Sequence, residues 1–211
     1  MADLKVKRRV LGACQTNCYY VYREGADEIV IIDPGDNGDV VFADAKSLGF
    51  EKIAGILLTH GHGDHTGGVL ELKQLSGAKV YAYEDEAEIL KDPEKNVSQW
   101  FGTGYGFEAD VYLRDKQTLT MAGVEFEVLH TPGHTKGGCC FYVKEDLTLF
   151  CGDTIFNGSV GRTDLYSGSM RALGDSIRER IMTLPDDVKL YSGHGDASTV
   201  GYERKYNPCL G

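Results

Sequence analysis

An α/β fold, with mixed sheets and helices on the outside, is what this sequence predicts, and three observations carry that expectation. Strand-length apolar runs come first, then alternate with segments of helical spacing, then return before a helical end. The chain has 211 residues, 42% hydrophobic and 26% charged, which supplies one sizeable core. It shows no fixed-period repeat and no linker rich in Pro, Gly and Ser, so residues 1–211 read as a single domain.

The elements follow in order. Val6–Leu11, Cys18–Arg23 and Glu28–Ile32 read as strands, and the last runs into the turn Asp33-Pro34-Gly35-Asp36. Val40–Leu48 has helical spacing and stops at Gly49. Ile53–Leu58 is a short buried strand. Gly68–Leu75 is the next helix, Lys79–Ala82 a strand, and Glu84–Leu90 a short helix that Pro93 closes. Residues 92–116 read as a long connection with a helical turn, in which Trp100, Phe101, Tyr105 and Phe107 interleave with glycines. Strands are expected at Thr118–Met121, Val124–Leu129, Cys139–Val143 and Thr148–Cys151. Ser169–Leu184 has the 3.6 period of one helix, Val188–Tyr191 is a last strand, and Ser198–Lys205 a final helix.

Composition excludes several classes. Lys and Arg number 22 against 32 Asp and Glu, a net charge of −10, which argues against a nucleic-acid partner. No apolar run approaches the roughly 20 residues of a spanning helix, so no membrane partner is expected. No apolar stretch follows the basic N-terminus, so no secretory signal is expected. The six cysteines lack metal-knuckle spacing, and adjacent Cys139 and Cys140 must point to opposite faces of a strand. They read as reduced thiols of a cytoplasmic protein.

The chemistry concentrates in Thr59-His60-Gly61-His62-Gly63-Asp64-His65, which holds three of the six histidines. In an extended segment, His60 and His62 project to one side. Glycines at 61 and 63 lower the cost of unusual backbone angles. Imidazole and carboxylate ligands without thiolates suit Zn²⁺, Fe²⁺ or Mn²⁺ in a catalytic site. His134, Asp153 and His194 each follow an apolar strand and lie beside a glycine, which makes them the remaining candidates. Two divalent metals are then accounted for, most simply zinc, with iron or manganese as alternatives. One takes His60, His62 and His134, the other Asp64, His65 and His194, and Asp153 bridges with one oxygen to each. His130 and Asp33 are left over and read as supporting residues that orient ligands.

With Asp33, Thr-His-Gly-His-Gly-Asp-His, Pro-Gly-His134-Thr, Gly-Asp153-Thr and Gly-His194-Gly in that order, the chain resembles the metallo-β-lactamase fold superfamily. Within it, Thr16-Asn17-Cys18-Tyr19, Gly152–Phe156 and the stretch from Gly193 to Pro208 resemble the glyoxalase II-like group, the hydroxyacylglutathione hydrolases. The resemblance implies an αββα sandwich, two mixed β-sheets flanked by helices, with a dinuclear site at one edge. It implies hydrolysis of S-(2-hydroxyacyl)glutathione or a similar small acyl-thioester by a metal-bound hydroxide, which Asp64 orients. The C-terminal helical domain that supplies glutathione contacts in full-length enzymes is expected to be absent. Lys136 and Arg162 are the basic candidates for a substrate carboxylate, Arg204 and Lys205 weaker ones. Gly161-Arg162-Thr163-Asp164 is shared with persulfide dioxygenases of the same fold, which use one iron held by two histidines and an aspartate. That is the alternative reading, against which Gly193-His194-Gly195 favours a hydrolase.

Overall fold

The computed structural model describes residues 2–210. Its first half forms a six-stranded sheet in the order β1 (Leu4–Leu11), β2 (Thr16–Arg23), β3 (Glu28–Ile32), β4 (Lys52–Leu57), β5 (Val80–Tyr83) and β6 (Val111–Leu113). The first three strands are antiparallel, and β3 to β6 run parallel. The second half forms another six-stranded sheet. Here β7 (Thr118–Met121), β8 (Val124–His130), β9 (Cys139–Val143) and β10 (Thr148–Gly152) make an antiparallel meander. β10 also pairs in parallel with a later strand, Lys189–Ser192, which is edged by Ser198–Thr199. Between them, Ile155–Phe156 (β11) and Ser159–Val160 (β12) form a small hairpin, which makes the two later strands β13 and β14.

The two sheets face each other, and the alternation of side chains shows why so many strands are apolar throughout. Tyr19, Val21, Val30 and Ile32 point between the sheets, where they meet Phe126, Val128, Phe141 and Phe150. Their neighbours Cys18, Tyr20, Ile29 and Ile31 point outward, against α1 (Gly38–Ser47) and α3 (Val69–Ser76). On the other side, Cys140, Tyr142 and Leu149 pack against α5 (Met170–Ser176) and its extension. A strand buried on both faces has no polar side to alternate with. The result is a sandwich of two mixed sheets between helical layers. Cys139 and Cys140 occupy opposite faces of β9, and all six cysteines are free. No helix among the described residues is long and apolar enough to cross a membrane.

Several elements differ from expectation. The long connection holds the expected helical turn at Ser98–Phe101, but also the edge strand β6, whose three residues are too few for a period. The β11–β12 hairpin is equally short. The turn after His62 is itself a helix, α2 (Gly63–Thr66), and the expected helix 84–90 opens as a 3₁₀ turn before α4 (Ala87–Lys91). The helix expected over 169–184 begins at the Ser169 cap, whose hydroxyl accepts from Ala172 N–H. It then widens over Ile177–Ile181, where Met182 N–H donates to the Ile177 carbonyl, a five-residue step. The last helix, α6 (Val200–Tyr206), starts two residues late because Ser198 and Thr199 pair with β13.

The loop from β8 to β9 depends on one glycine. Gly133 has φ +139°, and a Cβ there would lie 2.2 Å from the Leu173 backbone nitrogen in the middle of α5. Gly133→Ala is therefore expected to lower unfolding free energy by at least about 2 kcal/mol in urea titration. An unchanged midpoint would show that α5 does not constrain this loop.

Candidate metal centre

The predicted site residues sit at the carboxyl ends of strands from both sheets. Asp33 follows β3, and His60 and His62 follow β4. Asp64 and His65 lie in α2, His134 follows β8, Asp153 follows β10, and His194 follows β13. Folding brings them together across up to 161 positions of sequence, from Asp33 to His194. Three overlapping groups have potential ligand atoms within 4.8 Å of one another: His60, His62 and His134; His60, His65 and Asp153; Asp64, His65 and His194.

The inner atoms face each other closely. His134 Nε2 lies 2.9 Å from His62 Nδ1 and 3.2 Å from His60 Nε2. His65 Nε2 lies 3.4 Å from His194 Nε2 and 3.2 Å from Asp153 Oδ1. His194 Nε2 is 3.4 Å from Asp64 Oδ2. Donors bound tetrahedrally at 2.0–2.1 Å from one cation stand about 3.3 Å apart, so the spacing fits metal coordination. The Asp153 carboxylate lies between the groups, with Oδ2 3.6 Å from His134 Nε2 and 3.4 Å from His194 Nε2. Oδ2 thus faces His134 of one group and His194 of the other, while Oδ1 faces His65. Asp153 Oδ1 is buried without a hydrogen-bond partner.

The outer ring nitrogens are held by acceptors, which fixes how the rings point. His134 Nδ1 donates to the Arg162 carbonyl (2.7 Å), and His194 Nδ1 to the Cys14 carbonyl (3.1 Å). His65 Nδ1 donates to Asp33 Oδ2 (3.0 Å). Asp33 has a left-handed φ of 50°, and it accepts from the Thr59 N–H (2.8 Å) and hydroxyl (2.6 Å). One carboxylate thereby fixes both His65 and the start of the histidine segment.

Electrostatics calls for positive charge here. Burial holds the His60 imidazole well below its usual range, and burial followed by His134 pushes His62 down to about 3. Each neutral ring keeps one unprotonated nitrogen, able to bind a cation. In the other group, burial opposes protonation, but Asp153 and Asp64 outweigh it and hold His65 well above its usual range. Against the same burial, hydrogen bonds to Asp153 and Asp64 raise His194 to about 9. A cation would take the place of those protons.

Other expected residues lie elsewhere. His130 is outside the cluster; it stacks on Tyr83 at 4.1 Å, and its Nε2 faces the Lys136 carbonyl at 3.0 Å, bracing the loop that carries His134. The Lys136 ammonium pairs with Glu88. The Arg162 guanidinium pairs in two-pronged fashion with Asp164 (2.7 and 2.8 Å), so Arg162 meets the cluster through its carbonyl. Arg204 pairs with Asp186.

Sequence reasoning missed Glu86. Fully buried, it accepts from Gly61 N–H (2.8 Å) and Gly137 N–H (3.0 Å) and from the Thr135 hydroxyl, joining the two loops that carry His60, His62 and His134. Its approach also explains the glycine at 61, where a Cβ would lie 2.7 Å from Glu86 Oε2. Neither Gly61 nor Gly63 has a positive φ, so close packing rather than backbone freedom selects them. The only sequence signal was a glutamate on the same helical face as Ile89 and Leu90. Asn17 is a second omission: its Nδ2 donates to the Ser192 and Gly195 carbonyls (2.9 Å each), tying the first sheet to the His194 loop.

Residues 11–194 match the metallo-β-lactamase superfamily. The chain is 34% identical over 204 residues to the hydroxyacylglutathione hydrolase GloC of Haemophilus influenzae, with 94% of each chain covered. BLEG-1, a B3 metallo-β-lactamase of solved structure, is 36% identical, with a TM-score of 0.92 over 98% of this chain and 99% of that one. TTHA1623, solved in a di-iron-bound form, is 34% identical, with a TM-score of 0.85 over 96% and 98%. That fold binds divalent metals, and the histidine-rich cluster stands where its two sheets meet. The chain belongs to the metallo-β-lactamase superfamily and is one of its metallo-hydrolases.

Proposed function

We propose that this protein is a two-metal thioesterase of the glyoxalase II type, which cleaves a small acyl-thioester. The observation that carries the reading is the Asp153 carboxylate set between two histidine groups drawn from both sheets. Likeness to GloC supports the thioester, and the second group, Asp64, His65 and His194, supports two cations over a mononuclear iron site.

His60, His62 and His134 would hold one cation, and Asp64, His65 and His194 the other, with Asp153 shared. Zinc is the proposed occupant; iron and manganese suit the same imidazole and carboxylate donors. Bound there, the cations supply Lewis acidity, polarising the acyl carbonyl and bringing the pKa of water toward neutrality. Asp64 lines the open cleft beside the cluster, where it orients the attacking water and receives its proton. Asp33 and the carbonyls of Cys14 and Arg162 keep His65, His194 and His134 from rotating. The departing thiol is acidic enough to leave as thiolate, so no protein acid is required. The free cysteines support a reducing, cytoplasmic setting.

Three outcomes test this reading. Asp153→Ala is expected to bind fewer than two metals per chain by elemental analysis and to lose thioester turnover; full activity with two metals would remove Asp153 from the bridge. Asp33→Asn should weaken metal retention about 10–100-fold in chelator competition, because one uncharged oxygen is then left to serve the Thr59 N–H, the Thr59 hydroxyl and His65 Nδ1. Glu86→Ala should release metal about tenfold more readily through drift of the two loops it joins. Wild-type retention in that variant would make Glu86 a packing residue alone.

A further inference from the structure

A cleft of about 430 Å³ opens beside Asp64. One wall is the turn between β1 and β2, from Leu11 to Thr16, and the other is the segment that carries Trp100, Phe101 and Tyr105. Three properties of these walls specify a ligand.

The aromatic wall is built and left uncovered. The Tyr105 hydroxyl donates to the Gly63 carbonyl (3.0 Å) and lies 2.9 Å from the Thr66 hydroxyl, which anchors the segment to α2, the helix that holds Asp64 and His65. The Ser98 side chain closes the base, accepting from Tyr105 N–H (2.9 Å) and donating to the Tyr105 carbonyl (3.1 Å). From this fixed base Trp100 and Phe101 stand 58% and 46% exposed. Large aromatic surface held beside a reactive centre gains from an apolar group laid against it.

Away from the metal end, the charge in the cleft is acidic. No lysine or arginine lines it, and its two carboxylates are Asp64, assigned to the metal, and Asp36. Among the described residues Asp36 makes no ion pair; its Oδ1 accepts only the neighbouring Asn37 N–H (2.8 Å). The two cations expected to meet a substrate carboxylate do not line the cleft and are engaged elsewhere, Lys136 by Glu88 and Arg162 by Asp164. A carboxylate brought against Asp36 would find repulsion and no partner.

The third property is an unmet polar group. Thr16 also lines the cleft, is 1% exposed, and its hydroxyl has no partner. A buried hydroxyl without a partner favours a ligand that offers it one, such as a neutral amide.

We propose that this cleft seats the carrier-thiol arm of the substrate, and that this arm is apolar, amide-bearing and free of carboxylates. The assignment rests on the thioesterase reading and narrows it away from glutathione-like carriers, whose carboxylates the cleft opposes. Trp100 is the single tryptophan of the chain, so its emission reports the cleft alone.

The test uses the metal-loaded protein and two uncleavable thioethers, S-benzyl-N-acetylcysteamine and S-benzylglutathione, titrated against Trp100 emission. The neutral thioether is expected to bind at least about tenfold more tightly and to shift the emission. Asp36→Asn should tighten the glutathione thioether several-fold and leave the neutral one unchanged. Equal or tighter binding of the glutathione thioether to the wild-type protein, or binding with no change in emission, would overturn the proposal. Hydrolysis of the matching S-acetyl thioesters is measured in parallel. If neither is cleaved, the thioesterase reading falls, while the emission titration still decides whether the cleft prefers an uncharged arm.

Discussion

Inward-facing donors from two separate sheets meet at one point, and that crowding is the constraint on which the rest of the structure depends. Carboxylates buried this close to one another are costly unless positive charge lies among them. Asp64 and Asp153 each come within 3.4 Å of His194 Nε2, and Asp153 sits between His134 and His194. The protein supplies the crowding; protons or metal ions must supply the charge. Everything that fixes the loops at this end of the sandwich serves that arrangement.

The supporting contacts share the work between the two halves of the chain. β2 reaches across through Asn17, and the turn before it supplies the Cys14 carbonyl to His194. In the other direction, Thr135 and Gly137 reach Glu86, which also holds Gly61. Each sheet therefore helps to orient ligands carried by the other. Neither half can present a complete donor set alone, which couples folding of the sandwich to formation of the centre.

Much of this was legible in the sequence, for definite reasons. His134, Asp153 and His194 stood out because polar residues directly follow apolar strands there, and strand ends are where such folds place chemistry. The sheets were legible because strands such as Glu28–Ile32 and Cys139–Val143 are apolar on both faces. Contacts made by the main chain were not legible. The Arg162 carbonyl orients His134, yet the residue type advertises only its guanidinium, which Asp164 engages. Glu86 was hidden for a related reason: its partners are backbone N–H groups 25 and 51 positions away, which no local period records. β6 and the β11–β12 hairpin escaped because strands of two or three residues carry no alternation.

The central claim is that one carboxylate, flanked by histidines from both sheets, holds a pair of cations. The most direct measurement is a crystal structure of the metal-loaded protein with anomalous scattering recorded at the metal edge. Two peaks about 3.5–4 Å apart, flanking the Asp153 side chain, are the predicted result. A single fully occupied peak, with the Asp64, His65 and His194 side chains turned away from metal, would contradict it.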